Sequence, residues 1–203
     1  MPLAPFGRMT NRPDPLQGLN DEALMIRYRD EGDTRCFDML YSRHRNALFR
    51  FLVRQCGNPS DAQELFQDVW LKLIRARRRY RPSAKFSTYL YHLAHNRLID
   101  HYRRQSGRIP VSYDENQAVP EDNPASPADG PDAVLEREHS RQRLLEQITA
   151  LPAAQREALL LHLETGLTLE ELARVTGVGA ETVKSRLRYA MAKLRNAPRE
   201  GVE

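Results

Sequence analysis

Between Asp68 and Asp100 the chain has no acidic residue but carries Lys72, Arg75, Arg77, Arg78, Arg79, Arg81, Lys85 and Arg97. Tyr80, Phe86, Tyr89, Tyr91, His92, His95 and Asn96 are interleaved with these cations. Clustered cations neutralise phosphates, and flat rings among them can receive unstacked bases. The same pattern also fits core aromatics under a solvated basic surface, and the spacing alone leaves both readings open.

A second stretch, residues 165–195, reads TGLTLEELARVTGVGAETVKSRLRYAMAKLR. Thr168 and Glu171 have the spacing of a capping box. Gly177 suits a positive φ between two crossing helices. With small Ala173 before it and apolar Val183 after it, this pattern matches a helix-turn-helix. The outward side of the second helix would carry Lys184, Ser185, Arg186, Arg188 and Tyr189. In such a unit the second helix enters the major groove, where these donors read base edges or hold phosphate oxygens.

No arrangement of nucleophile and base stands out. His92 and His95 are three residues apart, without a cysteine partner or an HExxH context, so the spacing names no metal site. A GxxxxGK[ST] phosphate loop is absent from the sequence. The expectation is a binding protein without catalytic residues or cofactor. Cys36 and Cys56 form no CxxC and lie in apolar helical patterns, which predicts buried free thiols.

The elements that must hold these two stretches are helical. Asn20 can cap a helix over 21–30, and Asp33 a second to about Gln55, ended by Gly57-Asn58-Pro59. In the second, Phe37, Leu40, Tyr41, Leu48, Phe51 and Leu52 recur at helical steps. Ser60 can cap a third helix, with Leu65, Val69, Leu73 and Ala76 on its core face and Phe66 and Trp70 beside it, either as an aromatic edge at the surface or as a thickening of the core. Pro82 stops further helix, leaving a basic loop over 79–85. Ser83 or Ser87 then starts a fourth helix to about Arg104. Helical pattern resumes near Ala133, with Leu144, Leu145 and Ile148 as a stripe. Pro152 fits the first turn of a helix ending near Gly166, with Leu159, Leu160 and Leu163 facing inward.

Charge is distributed unevenly around the formal net of +4. Residues 1–104 carry 19 Lys and Arg against 11 Asp and Glu, residues 105–140 carry 2 against 8, and residues 141–203 carry 10 against 8. Two basic lobes around an acidic tether favour a nucleic-acid partner. The tether, 105–134, has five prolines by Pro131 and little apolar content. It reads as a flexible acidic linker that would let the lobes be placed independently. The fold expected is all-α: a disordered leader over 1–18, a helical domain over 19–104, the linker, a helix-turn-helix domain over 135–197 and a disordered tail over 198–203. No apolar run approaches a membrane span and the start of the chain lacks a secretion-signal core, so the cytoplasm is the expected compartment and membrane insertion is not expected.

DAQELFQDVWLKLIRA followed by RYRPSAKFSTYLYHLAHNRLIDHYRR resembles domain two of the extracytoplasmic-function (group IV) sigma factors, in the sigma-70 family of RNA polymerase promoter-recognition subunits. LPAAQREALLLHLETGLTLEELARVTGVGAETVKSRLRYAMAKLR is similar to their domain four. Tyr89 stands where that family most often has Trp. The resemblance implies docking of Asp61, Glu64, Gln67 and Asp68 on core RNA polymerase, at a coiled coil of the largest subunit, with the second-largest subunit also a partner. It implies that Lys72, Arg79, Tyr80, Arg81, Lys85, Phe86 and Asn96 lie at the single-stranded −10 element, with one base flipped out of the stack. It further implies that Thr182, Lys184, Ser185, Arg186, Arg188 and Tyr189 face the −35 element of promoter DNA. An anti-sigma factor is an implied partner, and stress-linked transcription initiation an implied role.

Two other classes share parts of this pattern. A conventional transcription regulator would use the same C-terminal DNA reader but needs an effector or dimerisation domain, and the N-terminal half has no ligand-pocket pattern. An adaptor protein would bind polymerase without promoter selectivity. Sequence-selective initiation separates both from a sigma factor.

Overall fold

The computed structural model describes residues 16–106 and 133–196. Every regular element among them is helical. Helix α1, Asp21–Glu31, begins where the Asn20 side chain accepts from the Ala23 amide and ends at Gly32, whose φ of 72° lets the chain turn left-handed. Helix α2, Thr34–Cys56, is capped by Asp33 as its sequence predicts. Helix α3, Pro59–Ala76, starts two residues earlier than the Ser60 cap would place it. Asn58 supplies the cap and Pro59 occupies the first turn, where a missing amide proton costs nothing.

A three-residue 3-10 turn, Arg77–Arg79, carries the chain from α3 to Tyr80. Helix α4, Phe86–Ser106, follows the basic loop. Neither Ser83 nor Ser87 starts it. The Phe86 amide instead donates to a Glu22 carboxylate oxygen on α1 at 2.6 Å, a tertiary cap that no local pattern announces.

The core of this lobe is aromatic. Phe37 meets Trp70 edge-on at 5.7 Å, Tyr41 meets Trp70 at 5.0 Å and Phe49 meets Phe66 at 5.7 Å. Phe66 and Trp70 are therefore core residues, the second of the two readings their spacing allows: α2 presents three rings opposite them. Leu16 is buried as well, so the packed lobe reaches into the segment expected to be a disordered leader.

Helices α5, Ala133–Thr149, α6, Ala153–Thr165, α7, Leu169–Thr176, and α8, Ala180–Arg195, build the second lobe. Pro152 is the N-cap of α6 and not its first residue. Leu159 and Leu160 point inward, but Leu163 is 62% exposed and Leu144 is also exposed, so both leave the expected stripes. Helices α4 and α5 extend two residues into the expected linker from either side. The rest of the linker, residues 1–15 of the leader and the tail expected over 198–203 lie outside the described residues.

The lobes are not placed independently in the described structure. Helix α6 packs on α2 and α7 packs on α4. Among the described residues, no helix is long and apolar enough to cross a membrane.

Candidate nucleic-acid interface

The basic loop is held from below by α1. Arg29 and Arg81 each donate to the Tyr80 carbonyl at 3.1 Å, and the Arg77 guanidinium lies 5.1 Å over the Tyr28 ring. These contacts shape an open cavity of about 670 Å³ lined by Arg29, Asp30, Glu31, Gly32, Arg77, Arg78 and Arg81. The contribution of Arg29 was invisible in sequence because it lies 51 residues before Tyr80.

Arg79, Arg81 and Lys85 are exposed around this loop, and Lys72 and Asn96 are half-buried. Tyr80 and Phe86 depart from their expected place. Tyr80 is 2% exposed and Phe86 is fully buried, so neither ring offers a face to a base. Tyr80 packs edge-on against Tyr89 at 5.2 Å, and burial pushes its hydroxyl up to about 12. Phe86 packs against the His44 ring at 5.2 Å. The physical reason is the Glu22 cap, which pulls the first residue of α4 inward together with its ring. Half-buried Tyr89, backed by Tyr80, is the ring left at the rim.

On α3, Glu64 and Gln67 are exposed, while Asp61 and Asp68 are partly exposed beside His101 at 3.7 Å and Arg97 at 3.8 Å. Leu71 and Ile74 join this side at 46% and 36% exposure. Sequence reading passed over both. Their signal was that each is apolar yet falls outside the Leu65–Val69–Leu73 stripe.

In the second lobe Gly177 adopts φ 71° between α7 and α8, and Thr168 and Glu171 make the reciprocal capping box. The Thr168 amide and the Lys85 ammonium hold the Glu171 carboxyl below the usual glutamate range. Lys184 and Arg188 are exposed, and Thr182, Ser185 and Tyr189 are half-buried. The Arg188 guanidinium lies 5.1 Å over the Tyr189 ring. Arg186 is 8% exposed and corrects the expectation that it faces outward: it shares the inner side of α8 with Val183 and Ala190 at helical spacing.

Two of the expected strand-binding residues sit under the second lobe. The Lys85 ammonium pairs with Glu171 at 3.0 Å. Asn96 donates to His92 Nε2 at 3.1 Å, so Nδ1 carries the proton and donates to the Val175 carbonyl at 3.0 Å. Among the described residues no group of His, Cys, Asp and Glu is placed to hold a metal ion. Cys36 and Cys56 are free, and burial pushes the Cys56 thiol up to about 11.

Residues 40–108 match the family model described as Sigma-70 region 2, and residues 148–196 match Sigma-70, region 4. The ECF RNA polymerase sigma factor RpoE of Cereibacter sphaeroides is 33% identical over 85% of this chain and 92% of its own length. The ECF RNA polymerase sigma factor SigE of Mycolicibacterium smegmatis is 30% identical over 82% of this chain, which spans 63% of that longer relative. Among solved structures, the sigma factor RpoE of Bartonella quintana in complex with the anti-sigma factor NepR aligns with 78% of this chain and 94% of its own, at 22% identity and a TM-score of 0.59, a likeness of fold.

Proposed function

On the premise that this chain belongs to the extracytoplasmic-function branch of the sigma-70 family of RNA polymerase sigma factors, we propose how its two lobes divide promoter recognition. A sigma factor is a non-catalytic subunit: it binds core polymerase, recognises a promoter and lets transcription begin. The observation that carries the division is the pairing of an exposed basic loop on one lobe with a solvent-facing basic helix on the other.

The α7–Gly177–α8 unit acts as a helix-turn-helix on the duplex −35 element. Lys184 and Arg188 hold phosphates or base edges, with Thr182, Ser185 and Tyr189 beside them. Arg186 contributes from inside, as part of the helix packing.

The first lobe takes the separated −10 strand. Arg79, Arg81 and Lys85 hold its phosphates, and Lys72 and Asn96 line its path. Tyr80 and Phe86 act as the wall that fixes Tyr89 and the loop, in place of direct stacking. Flipping a base costs a few kcal/mol, and stacking returns roughly 1–3 kcal/mol. The near balance explains why the free protein would melt DNA poorly and why polymerase is needed to align the lobes.

Docking falls to α3, where Asp61, Glu64, Gln67 and Asp68 form a polar field around Leu71 and Ile74. Exposed apolar side chains inside a polar rim are the anatomy of a protein interface. An anti-sigma protein, as in the Bartonella quintana complex, is the proposed antagonist, and action on polymerase puts the protein in the cytoplasm.

Core polymerase reconstituted with this protein on a genomic promoter library tests the reading. Sequence-selective initiation is expected. Initiation without selectivity, or none at all, overturns it. A transcription regulator would leave core polymerase unselective in this assay.

A further inference from the structure

The cavity beside the basic loop takes no part in the promoter contacts proposed above. Its volume of about 670 Å³ lies within the roughly 300–1,000 Å³ of small-molecule sites. Its lining is charged. Arg77, Arg78 and Arg81 reach it from the 3-10 turn and the loop, and Arg29, Asp30 and Glu31 from the last turn of α1. The two carboxylates are already committed: Asp30 pairs with Arg29 at 2.7 Å, and Glu31 pairs at 3.0 Å with Arg27, which stands outside the lining. Among the described residues no carboxylate lies within ion-pair distance of Arg77, Arg78 or Arg81. Two of these three are held in place. The Arg77 guanidinium lies 5.1 Å over the Tyr28 ring and against Gly32, where an added Cβ would meet it at 3.8 Å, and Arg81 donates to the Tyr80 carbonyl. Guanidiniums fixed before a ligand arrives spare the entropy of ordering them.

We propose that this cavity is a binding site for a small phosphorylated molecule of nucleotide size, its phosphates held by Arg77, Arg78 and Arg81. The planar guanidinium fork matches phosphate oxygens in pairs, and several forks in one place favour a multiply charged group. The charges also set the ligand's orientation. Asp30, Glu31 and the carbonyl end of α1 carry negative charge, so the anionic end is directed to the 3-10 turn and the remainder, toward α1, is uncharged. Carboxylates and carbonyls accept hydrogen bonds, so that remainder offers N–H or O–H groups, as a ribose or an amino-bearing base does.

The −10 strand is a different occupant. Lys72, Arg79, Lys85 and Asn96, which are assigned to it, do not line the cavity, and neither does Tyr89 at the rim; Arg81 alone belongs to both. A phosphorylated ligand engages Arg81 from the cavity side and takes one cation from the strand. Ligand and strand then weaken each other by the same factor. The site stands on its own geometry, whereas this coupling through Arg81 rests on the function proposed above.

Isothermal titration calorimetry of the full chain with inorganic pyrophosphate, and separately with adenosine diphosphate, at fixed ionic strength tests the site. Both should bind, the nucleotide at least as tightly as pyrophosphate. Arg78→Ala should weaken each about tenfold through loss of a charged hydrogen-bond donor. Arg78 is exposed, so the variant should melt with the parent chain, and Arg78→Lys, which keeps the charge and loses the fork, should fall between the two. Lys193→Ala, exposed on α8, should leave pyrophosphate binding unchanged. No binding of pyrophosphate, or an equal loss in Lys193→Ala, overturns the site, and a nucleotide weaker than pyrophosphate overturns the orientation. A labelled single-stranded oligonucleotide separates the two sources of phosphate. Saturating pyrophosphate should weaken its binding about fivefold, and Arg78→Ala should weaken it far less than it weakens pyrophosphate. Equal losses for strand and pyrophosphate make the cavity part of the strand path and overturn the small-molecule assignment. Pyrophosphate that depends on Arg78 yet leaves the strand untouched supports the site and takes Arg81 out of the proposed strand contacts.

Discussion

The two sites proposed to face DNA are built by opposite means. In the second lobe α8 is positioned by residues a few places away in sequence: the Thr168–Glu171 box, the left-handed Gly177 and the short α7. In the first lobe the basic loop is positioned by α1, through Glu22 to the Phe86 amide and Arg29 to the Tyr80 carbonyl. The cores differ likewise. The first interlocks Phe, Tyr and Trp rings, while the second packs Leu, Val, Ile and Ala. Local construction makes a site separable from its surroundings, and long-range construction makes it dependent on the whole lobe.

Truncating the aromatic wall should break the comparison most severely. Phe86→Ala should cost about 3–5 kcal/mol of stability, lowering the melting temperature of the first lobe more than that of the second in the same calorimetric scan. Glu22→Ala should cost roughly 1.5–3 kcal/mol, since a charged hydrogen bond to a part-buried amide is lost. It should impair promoter opening, read by permanganate footprinting, while −35 duplex binding by gel shift stays intact. Gly177→Ala places a side chain at φ 71° and should cost about 1–2 kcal/mol. Its defect should have the reverse pattern, with weakened duplex binding and normal capture of a pre-melted template. Thr168→Ala removes one cap and should cost about 1 kcal/mol, read by urea denaturation.

The smallest effect is a titration. His44 chiefly, with Arg43, holds the Asp21 carboxyl below the ordinary aspartate range by donating to its oxygens. A depressed carboxyl stabilises the folded lobe above its unfolded-state pKa, and that contribution is lost as pH falls through the folded value. Carboxyl NMR should place Asp21 below a free aspartate, and Asp21→Asn should flatten the acid limb of first-lobe stability.

The same contrast governs what could be read before the structure. Helix order, the Asn20 and Asp33 caps, the Gly177 turn and the capping box were all legible, because each signal and its effect lie within one helical turn. The start of α4 was not, because its cap comes from Glu22, 64 residues earlier. Tyr80, Phe86 and Arg186 were placed by residue type on a surface, and packing turned each inward. Leu71 and Ile74 were passed over because a core stripe was sought and they lie off it. The closeness of the lobes could not be read either, since the pairs that join α2 and α4 to α6, and α4 to α7, lie 62 to 114 residues apart in the chain.

Both ends of the segment from Tyr80 to Phe86 are tied to α1, by Arg29 at one post and Glu22 at the other. A single rigid helix thus sets the gap that residues 81–85 must bridge. Whatever side chains fill that bridge, its two abutments stay put. On the proposed reading of this loop as the holder of the −10 strand, residues 81–85 form a swappable cassette, open to grafting from relatives without redesign of the lobe beneath it.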